Sequence, residues 1–298
     1  MSNVEPRFGR LITAMVTPFN DERELDLDRA QALATRLIEG GNDSLIINGT
    51  TGESPTVFYP QKIELFRAVV EAVGGKAPVI ANVGDNCTAD TVDFAKDVAK
   101  LGVDGFMCVV PYYNKPPQEG MYQHFKTIAD AVELPIILYN IPGRCVVNME
   151  AETTLRLAND CENIIAVKEA SGKMDQIATI AAAAPEGFSV YSGDDSATYD
   201  IMRLGGAGVI STTGNVAPER MKELVTKCAE GKWDEAWAAH EALLPLMNDL
   251  FETSNPILVK EALKLVGFPV GGVRLPLIDA TAEQSARLAS IMREVGVL

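Results

Sequence analysis

The fold of this chain is decided by a stretch that reads Ile-Ile-Ala-Val-Lys-Glu-Ala-Ser-Gly at residues 164–172. An apolar run that turn-forming residues follow at once is typical of a buried strand in a parallel sheet. Lys168 therefore lies at the carboxyl end of the predicted strand. Because burial disfavours an ammonium group and lowers its pKa, a lysine at this point is a candidate Schiff-base nucleophile. The alternative is a lysine that only extends its charged end to the surface.

Seven similar apolar runs occur elsewhere in the chain, and amphipathic segments separate them. The eight predicted strands cover residues 11–16, 44–48, 78–83, 105–110, 135–139, 164–168, 189–192 and 208–211. Their starts are roughly 20 to 35 residues apart, the spacing of a strand followed by a helix. Eight such units predict an α/β protein with the (β/α)₈ TIM barrel fold. The alternative, a doubly wound sheet, needs only about five or six strands and a G-x-G-x-x-G dinucleotide loop, which the sequence lacks.

Helix signals separate the strands and continue after them. Thr88 is predicted to cap a helix over residues 89–101. The strand signals stop after Gly231, and three further helices are predicted over 233–250, 256–266 and 281–295. We therefore expect a catalytic barrel at residues 1–231 and a C-terminal helical region at residues 232–298.

Composition limits the classes of partner. The 298 residues carry a formal net charge of −15, with 41 acidic against 26 basic residues, so a nucleic acid or an anionic membrane is not expected as a partner. No apolar stretch reaches the roughly 18 to 20 residues of a membrane span. Residues 1–10 are polar and carry charges of both signs, which is not the pattern of a signal peptide.

The cysteines and histidines predict neither disulfides nor a metal site. Five widely spaced cysteines without a C-x-x-C pair favour a reduced, cytoplasmic protein. The two histidines, His124 and His240, have no second ligand nearby in sequence. A metal-dependent aldolase built on several histidines is therefore disfavoured, and the chemistry is expected to be carried by an amine.

Two loops at the predicted barrel mouth carry groups that suit a carboxylate substrate. Catalytic groups of such barrels lie at the carboxyl ends of the strands. Residues 48–54 place Thr50 and Thr51 between glycines, so hydroxyls and free backbone N–H groups can cradle a small carboxylate. Residues 139–144 supply Tyr139, which can relay protons, and Arg144, which can bind a carboxylate bidentately. The alternatives are an ordinary turn, a structural tyrosine and a surface arginine.

A third loop, residues 111–117, holds adjacent tyrosines between prolines. Such a loop is stiff and presents at least one ring outward, or it forms an interface. Together the three loops and Lys168 predict Schiff-base formation with a 2-oxo acid, followed by making or breaking of a carbon–carbon bond.

Four motifs then support a specific resemblance. They read Gly-Thr-Thr-Gly-Glu-Ser at 49–54, Tyr-Asn-Ile-Pro-Gly-Arg at 139–144, Val-Lys-Glu-Ala-Ser-Gly at 167–172 and Ser-Gly-Asp-Asp at 192–195. In order and spacing, over essentially the whole chain, they resemble the dihydrodipicolinate synthase family. That family belongs to the pyruvate-dependent class I aldolases, which include N-acetylneuraminate lyase. Arg144 and the pair Thr50-Thr51 fit the synthase pattern rather than the lyase pattern.

The resemblance implies a role for each matching residue in a condensation of pyruvate with L-aspartate 4-semialdehyde. Lys168 would form the imine with pyruvate, and Thr51 would hold the pyruvate carboxylate. Arg144 would bind the carboxylate of the aldehyde substrate. Gly193 and Ile210 would contact substrate through backbone atoms.

The resemblance also implies a proton relay of Tyr139, Thr50 and Tyr113, with Tyr113 supplied by a neighbouring subunit. A homotetramer built as a dimer of dimers would follow from this. No metal or organic cofactor is implied, because the protonated imine is itself the electron sink. The pathway implied is cytoplasmic lysine and diaminopimelate biosynthesis.

A regulatory site for lysine is the last feature that the resemblance suggests. Its candidate residues are Ser54, Tyr59, Lys62, Asn86, Asp90 and Tyr112. Lysine-inhibited members carry histidines where this chain has Tyr59 and Lys62, and a glutamate where it has Asp90. Since Lys62 adds a positive charge, we expect inhibition by lysine to be weak.

Two other functions stay open at this point. One is another pyruvate-dependent Schiff-base aldolase on the same scaffold, such as a 2-keto-3-deoxy sugar acid aldolase or a lyase of the N-acetylneuraminate type, which Arg144 argues against. The other is a binding protein that has kept the barrel but lost the chemistry. The presence of Lys168, Tyr139, Thr50 and Tyr113 argues against the second.

Overall fold

A computed structural model describes residues 5–298, and eight parallel strands in these residues form a closed barrel. The strands are β1 (Leu11–Ala14), β2 (Ser44–Ile47), β3 (Val79–Asn82), β4 (Gly105–Val109), β5 (Ile136–Asn140), β6 (Ile164–Glu169), β7 (Ser189–Ser192) and β8 (Gly208–Ser211). They pair in sequence order, and β8 closes the barrel against β1. The predicted TIM barrel is thus confirmed. Residues 1–4 of the segment 1–10, whose charge pattern is not that of a signal peptide, lie outside the described residues.

Helices follow the strands and form the outer layer. They are α1 (Leu27–Glu39), α2 (Tyr59–Val73), α3 (Thr88–Ala99), α4 (Gln118–Ala131), α5 (Pro142–Cys145), α6 (Ala151–Asp160), α7 (Met174–Ala183), α8 (Thr198–Arg203), α9 (Pro218–Ala229), α10 (Trp233–Asp249), α11 (Ile257–Leu265) and α12 (Ala282–Glu294). Among the helices of residues 5–298, none combines the length and the apolarity that crossing a membrane requires.

The start of α3 differs from the prediction. Thr88 is the first helical residue, and the N-cap position belongs to Cys87, whose side chain makes no capping hydrogen bond. The Thr88 hydroxyl instead lies 2.9 Å from Nδ1 of His124 on α4. The threonine is therefore not a cap, because its hydroxyl joins two neighbouring helices.

The strands are buried on both faces, which explains their nearly continuous apolar sequences. Alternate side chains pack inside the barrel, where Ile46, Ile137 and Ala166 belong to one cluster. Their neighbours Leu45 and Val167 pack outward against the helices. Because side chains alternate along a strand, a residue two positions after Ile137 or Ala166 also points inward.

The helices α10, α11 and α12 correspond to the three that were predicted after residue 231. The helix α11 and the segment after it lie against the barrel, where Lys260 and Arg274 contact Glu53 in the loop that follows β2. The division of the chain at residue 231 into a barrel and a helical region stays a prediction.

Candidate active site

Lys168 and Tyr139 lie side by side at the carboxyl ends of β6 and β5. The two residues are paired in the sheet register. Each follows an inward-facing residue by two positions, so both side chains point into the barrel. The Nζ atom of Lys168 lies 4.4 Å from the centroid of the Tyr139 ring. Lys168 is 6% exposed and Tyr139 is 4% exposed, so an amine and a phenol share a nearly dry site.

The burial of Lys168 changes its acidity in the direction that the sequence predicted. Burial lowers the pKa of Lys168 to about 8, and the Arg144 guanidinium adds to this effect. The Asp195 carboxylate acts in the opposite direction. An amine with this pKa is partly unprotonated near neutral pH, which nucleophilic attack on a carbonyl carbon requires.

Tyr139 stays protonated over the same pH range. Burial raises the pKa of Tyr139 to about 12, although interactions with Thr50 and Arg144 favour its ionised form. A neutral phenol can both donate and accept a hydrogen bond. Tyr139 therefore suits a proton relay beside the amine.

The loop after β2 folds tightly and places Thr50 in the wall of the mouth cavity, with Thr51 next to it in the chain. The backbone N–H of Glu53 donates to the Thr50 carbonyl oxygen at 3.1 Å, and that of Ser54 donates to Gly49 at 3.2 Å. Asn48 and Glu53 both adopt left-handed backbone angles, with φ of 62° and 55°. Thr51 is buried, and its hydroxyl oxygen accepts a hydrogen bond of 2.9 Å from the Asn255 amide.

Asp195 is a buried acid in this site to which the sequence analysis gave no role. Its Oδ2 atom accepts the backbone N–H groups of Thr212 at 3.0 Å and Thr213 at 2.8 Å, and the Thr213 hydroxyl at 2.8 Å. Burial raises the pKa of Asp195, and these hydrogen bonds oppose the shift. The carboxylate favours the charged form of Lys168. The available signal was an acid shortly after β7, where barrel enzymes place functional groups.

Gly193 directly follows β7, and Ile210 is the third residue of β8. The N–H of Gly193 donates to the Glu169 carbonyl oxygen at 2.7 Å. A Cβ atom at Gly193 would lie only 2.7 Å from Cβ of Ala170, so a larger residue would displace the backbone. Ile210 belongs to the inner barrel cluster.

A cavity of about 430 Å³ opens at the mouth, and its walls include Thr50, Tyr139 and Arg144. Arg144 lies on the short helix α5, directly after β5. Tyr113 does not line this cavity in the described part of the chain. Its side chain is 87% exposed and its φ is +72°. One chain therefore brings together Lys168, Tyr139, Thr50 and Arg144, but leaves Tyr113 facing outward.

A second cavity of about 310 Å³ adjoins the first and includes most of the predicted regulatory residues. Its lining contains Ser54, Tyr59, Lys62 and Asp90. Lys62 and Ser54 line both cavities, so they form part of the wall between them.

The contacts of the predicted regulatory residues fix their orientation and influence their charge. Burial lowers the pKa of Lys62, and the Asp85 carboxylate opposes the shift. The hydroxyl of Tyr59 donates to Asp97 at 2.6 Å. The Asn86 amide donates to the Tyr112 carbonyl oxygen at 3.1 Å, and the Tyr112 side chain lines the first cavity.

Within residues 5–298, no group of three or more His, Cys, Asp and Glu side chains is placed to hold a metal ion. The arrangement instead offers an amine of low pKa, a neutral phenol beside it, hydroxyls, and an arginine at the rim. These groups suit attack by an amine on the carbonyl carbon of a small carboxylic acid.

Comparisons with known proteins agree with this arrangement. The family model of the dihydrodipicolinate synthetase family matches residues 7–295. A 4-hydroxy-tetrahydrodipicolinate synthase from Moorella thermoacetica is 53% identical over 292 residues, which cover 98% of this chain and 100% of the relative.

Solved structures are similar over the same extent. Dihydrodipicolinate synthase from Cyanidioschyzon merolae with lysine bound has a TM-score of 0.97 at 46% identity, and the match covers 99% of this chain and 100% of that chain. A chloride-inhibited dihydrodipicolinate synthase from Acinetobacter baumannii, complexed with pyruvate, has a TM-score of 0.95 at 36% identity. That match covers 98% of this chain and 100% of the other.

Proposed function

Because this chain belongs to the dihydrodipicolinate synthetase family, we infer that it acts as a 4-hydroxy-tetrahydrodipicolinate synthase, a lyase of the class I aldolase type. Its substrates are pyruvate and L-aspartate 4-semialdehyde, and its product enters lysine and diaminopimelate biosynthesis. The observation that supports this function most directly is the pairing of Lys168 with Tyr139, since an amine of low pKa lies 4.4 Å from a neutral phenol ring.

The first chemical step is imine formation at Lys168. The unprotonated amine attacks the ketone carbon of pyruvate and forms a carbinolamine. Its hydroxyl group leaves as water after Tyr139 donates a proton, and the C=N bond of the imine forms. The protonated imine then draws electrons from the methyl group, and the Tyr139 phenolate left by the preceding step takes a methyl proton, which gives an enamine.

The second step joins the two substrates. The enamine carbon attacks the aldehyde carbon of L-aspartate 4-semialdehyde, and the new alkoxide takes a proton from the relay. The amine of the aldehyde substrate then displaces Lys168 by transimination and closes the ring. Lys168 leaves as the free amine, and the protonated imine has served as the electron acceptor of the condensation.

Substrate binding is assigned to the groups around this pair. Thr51 and a neighbouring backbone N–H hold the pyruvate carboxylate, and Arg144 at the rim holds the carboxylate of the aldehyde substrate. Gly193 and Ile210 contact substrate through their backbones. Thr50 links Tyr139 to Tyr113 in the relay.

The exposure of Tyr113 supports an active site shared between two subunits. In one chain the ring faces outward and lies off the mouth cavity. A neighbouring copy therefore supplies it, and we place the chain in a homotetramer that is a dimer of dimers. All five cysteines are free, which supports a cytoplasmic location.

Borohydride reduction in the presence of pyruvate tests the proposed function. We expect a stable adduct that peptide mass spectrometry maps to Lys168, and its loss in Lys168→Ala. Lys260 is an internal comparison, because burial lowers its pKa to about 8 as well, but Glu53 holds its Nζ at 2.6 Å. An adduct on Lys260 instead of Lys168 would refute the mechanism. The variant Lys62→Gln, at the cavity wall, should still be trapped.

A further inference from the structure

The loop that holds Thr51 contacts the C-terminal part of the chain at two points. Asn255, immediately before α11, donates from its side-chain amide to the Thr51 hydroxyl oxygen at 2.9 Å. Lys260, within α11, places its Nζ atom 2.6 Å from Oε1 of Glu53. The three residues Thr51, Glu53 and Asn255 are all buried.

The contact at Glu53 fixes the far end of the loop. Besides Lys260, the carboxylate accepts the backbone N–H of Arg274 at 2.9 Å. The side chains of Glu53 and Lys260 are 1% and 3% exposed, so the pair is shielded from solvent. The backbone at Glu53 is left-handed, and the ion pair holds this residue in place.

The contact at Asn255 sets the direction in which the Thr51 hydroxyl can donate. A hydroxyl has one hydrogen and can also accept. Since its oxygen accepts from Asn255, the hydrogen points elsewhere. The other polar neighbour, the Thr212 hydroxyl, is 3.4 Å away, which is beyond the usual range of a hydroxyl hydrogen bond. The hydrogen of Thr51 is therefore available to a substrate carboxylate.

We propose that Asn255 is a positioning residue of the active site, which acts through Thr51 to orient its O–H group toward the pyruvate carboxylate. This inference rests on the proposed function, because it takes Thr51 as the group that binds pyruvate. The proposal gives the C-terminal region an indirect part in substrate binding, since Asn255 acts through Thr51 and does not itself contact substrate.

Two substitutions separate orientation from simple space filling. Asn255→Ala removes the donor. Asn255→Asp keeps the shape but offers only acceptors, so the Thr51 hydroxyl turns its hydrogen toward position 255 and the added charge repels pyruvate. We expect the KM for pyruvate to rise about tenfold in Asn255→Ala and further in Asn255→Asp, because a hydrogen bond to a charged group is lost. The KM for the aldehyde substrate should change little.

A double-mutant cycle tests whether the effect passes through Thr51. In a Thr51→Val background, Asn255→Ala should not raise the KM for pyruvate further, since no hydroxyl remains to be oriented. An equal rise in both backgrounds would show that Asn255 only supports the structure, and would overturn the inference. Asn248→Ala, at an exposed position of α10, is the control and should leave both KM values unchanged.

The same experiments distinguish a failed inference from a failed function. If wild-type protein forms the borohydride adduct at Lys168 but Asn255→Ala and Asn255→Asp both bind pyruvate normally, the positioning role is wrong and the function stands. If wild-type protein forms no adduct, the function itself is wrong. Thermal unfolding of each variant establishes that it is folded, and Asn255→Asp, being nearly isosteric, decides the matter if Asn255→Ala does not fold.

Discussion

At the scale of single residues, the reactivity of Lys168 is set by opposing electrostatic effects. Burial and Arg144 lower its pKa, whereas Asp195 raises it. In the proposed mechanism Arg144 binds a substrate. Its positive charge also destabilises the ammonium form of Lys168. Asp195, held by three hydrogen bonds, limits how far the pKa can fall.

The pH dependence of imine formation should follow this pKa. The reactive form is the unprotonated amine, so the rate rises with pH and levels off above about 8. At pH 7 about a tenth of the lysine is reactive, far more than for a lysine of ordinary pKa. Asp195→Asn removes the charge that favours the ammonium, so its midpoint should move to lower pH. Quenched mass spectrometry of the pyruvate adduct measures the profile.

The control for the shift of the midpoint is Asp194→Asn. Asp194 is exposed, and its side chain accepts a hydrogen bond from the backbone N–H of Ser196. A midpoint that stays in place in Asp195→Asn, or moves equally in both variants, would contradict the electrostatic role of Asp195.

Arg144→Ala should impair the second substrate more than the first. Loss of a bidentate carboxylate contact is worth about 1.5–3 kcal/mol, which is roughly a ten- to hundredfold rise in the KM for L-aspartate 4-semialdehyde. Trapping of pyruvate at pH 9, above the pKa of Lys168 in the wild type, should change much less. Arg144→Lys keeps the charge and should recover only part of the loss. Equal losses for both substrates would assign Arg144 to pyruvate instead.

These residues differ in how far they could be predicted from the sequence. Lys168 and Tyr139 end apolar runs and Arg144 stands in the loop after one of them, so the sequence places all three at or near strand ends. Asp195 stands in the motif Ser-Gly-Asp-Asp at 192–195, but the motif alone assigns it no role. Asn255 lies more than 200 positions from Thr51, and a contact between two such distant residues has no signature in a single sequence.

At the scale of elements, the loop after β2 depends on a buried ion pair that reaches it from α11. Lys260→Met leaves the Glu53 carboxylate buried without its cation, and breaking such a pair costs about 3–5 kcal/mol of stability. The double variant Glu53→Gln/Lys260→Met removes both charges and should recover most of this loss. Urea unfolding measures the free energies. A double variant that is as unstable as the sum of the single variants would show that the pair is not coupled.

The strands were the most predictable elements, and the loops the least. Burial on both faces gives each strand a nearly continuous apolar run, so the predicted bounds differ from the observed ones by a residue or two. The cap at Thr88 was wrong because a threonine before a helix can also bond sideways, here to His124. The outward orientation of one ring in residues 111–117 could be predicted, but not that this ring is Tyr113.

At the scale of the whole molecule, the proposed assembly has the outward-facing Tyr113 of one subunit complete the active site of its neighbour. A subunit that lacks Lys168 can still donate its Tyr113, and a subunit that lacks Tyr113 can still use its own Lys168. The two defects therefore lie in different sites of a mixed dimer.

Mixing the variants Lys168→Ala and Tyr113→Phe should restore activity. Each variant alone has only defective sites. When equal amounts of the two variants are refolded together, random pairing makes about half of the dimers mixed, and each mixed dimer has one complete site out of two. About a quarter of all active sites are then complete. Steady-state activity after co-refolding measures this. Activity that stays at the sum of the separate variants would mean that Tyr113 serves its own chain.

Feedback by lysine should be weak in this protein. Lys62 lies in the wall of the second cavity, where a lysine effector would bring a like charge. Like charges about 4 Å apart repel by ~1 kcal/mol in water and roughly 4 kcal/mol at an effective dielectric near 20. We expect little inhibition at millimolar (S)-lysine and stronger inhibition in Lys62→His. Half-inhibition of the wild type below about 0.1 mM, equivalent to ~5 kcal/mol of binding, would show that Lys62 does not face the effector.

The contacts between the C-terminal region and the loop after β2 have a consequence for folding during synthesis. A nascent chain that has reached residue 231 already contains all eight strands, but Glu53 still lacks its buried cation and Thr51 its amide donor. Asn255 and Lys260, and Arg274 after them, are synthesised after all eight strands. The loop after β2 therefore gains all of these contacts only after residue 274 has been synthesised, and a shorter nascent chain should bind pyruvate more weakly if Thr51 holds it as proposed.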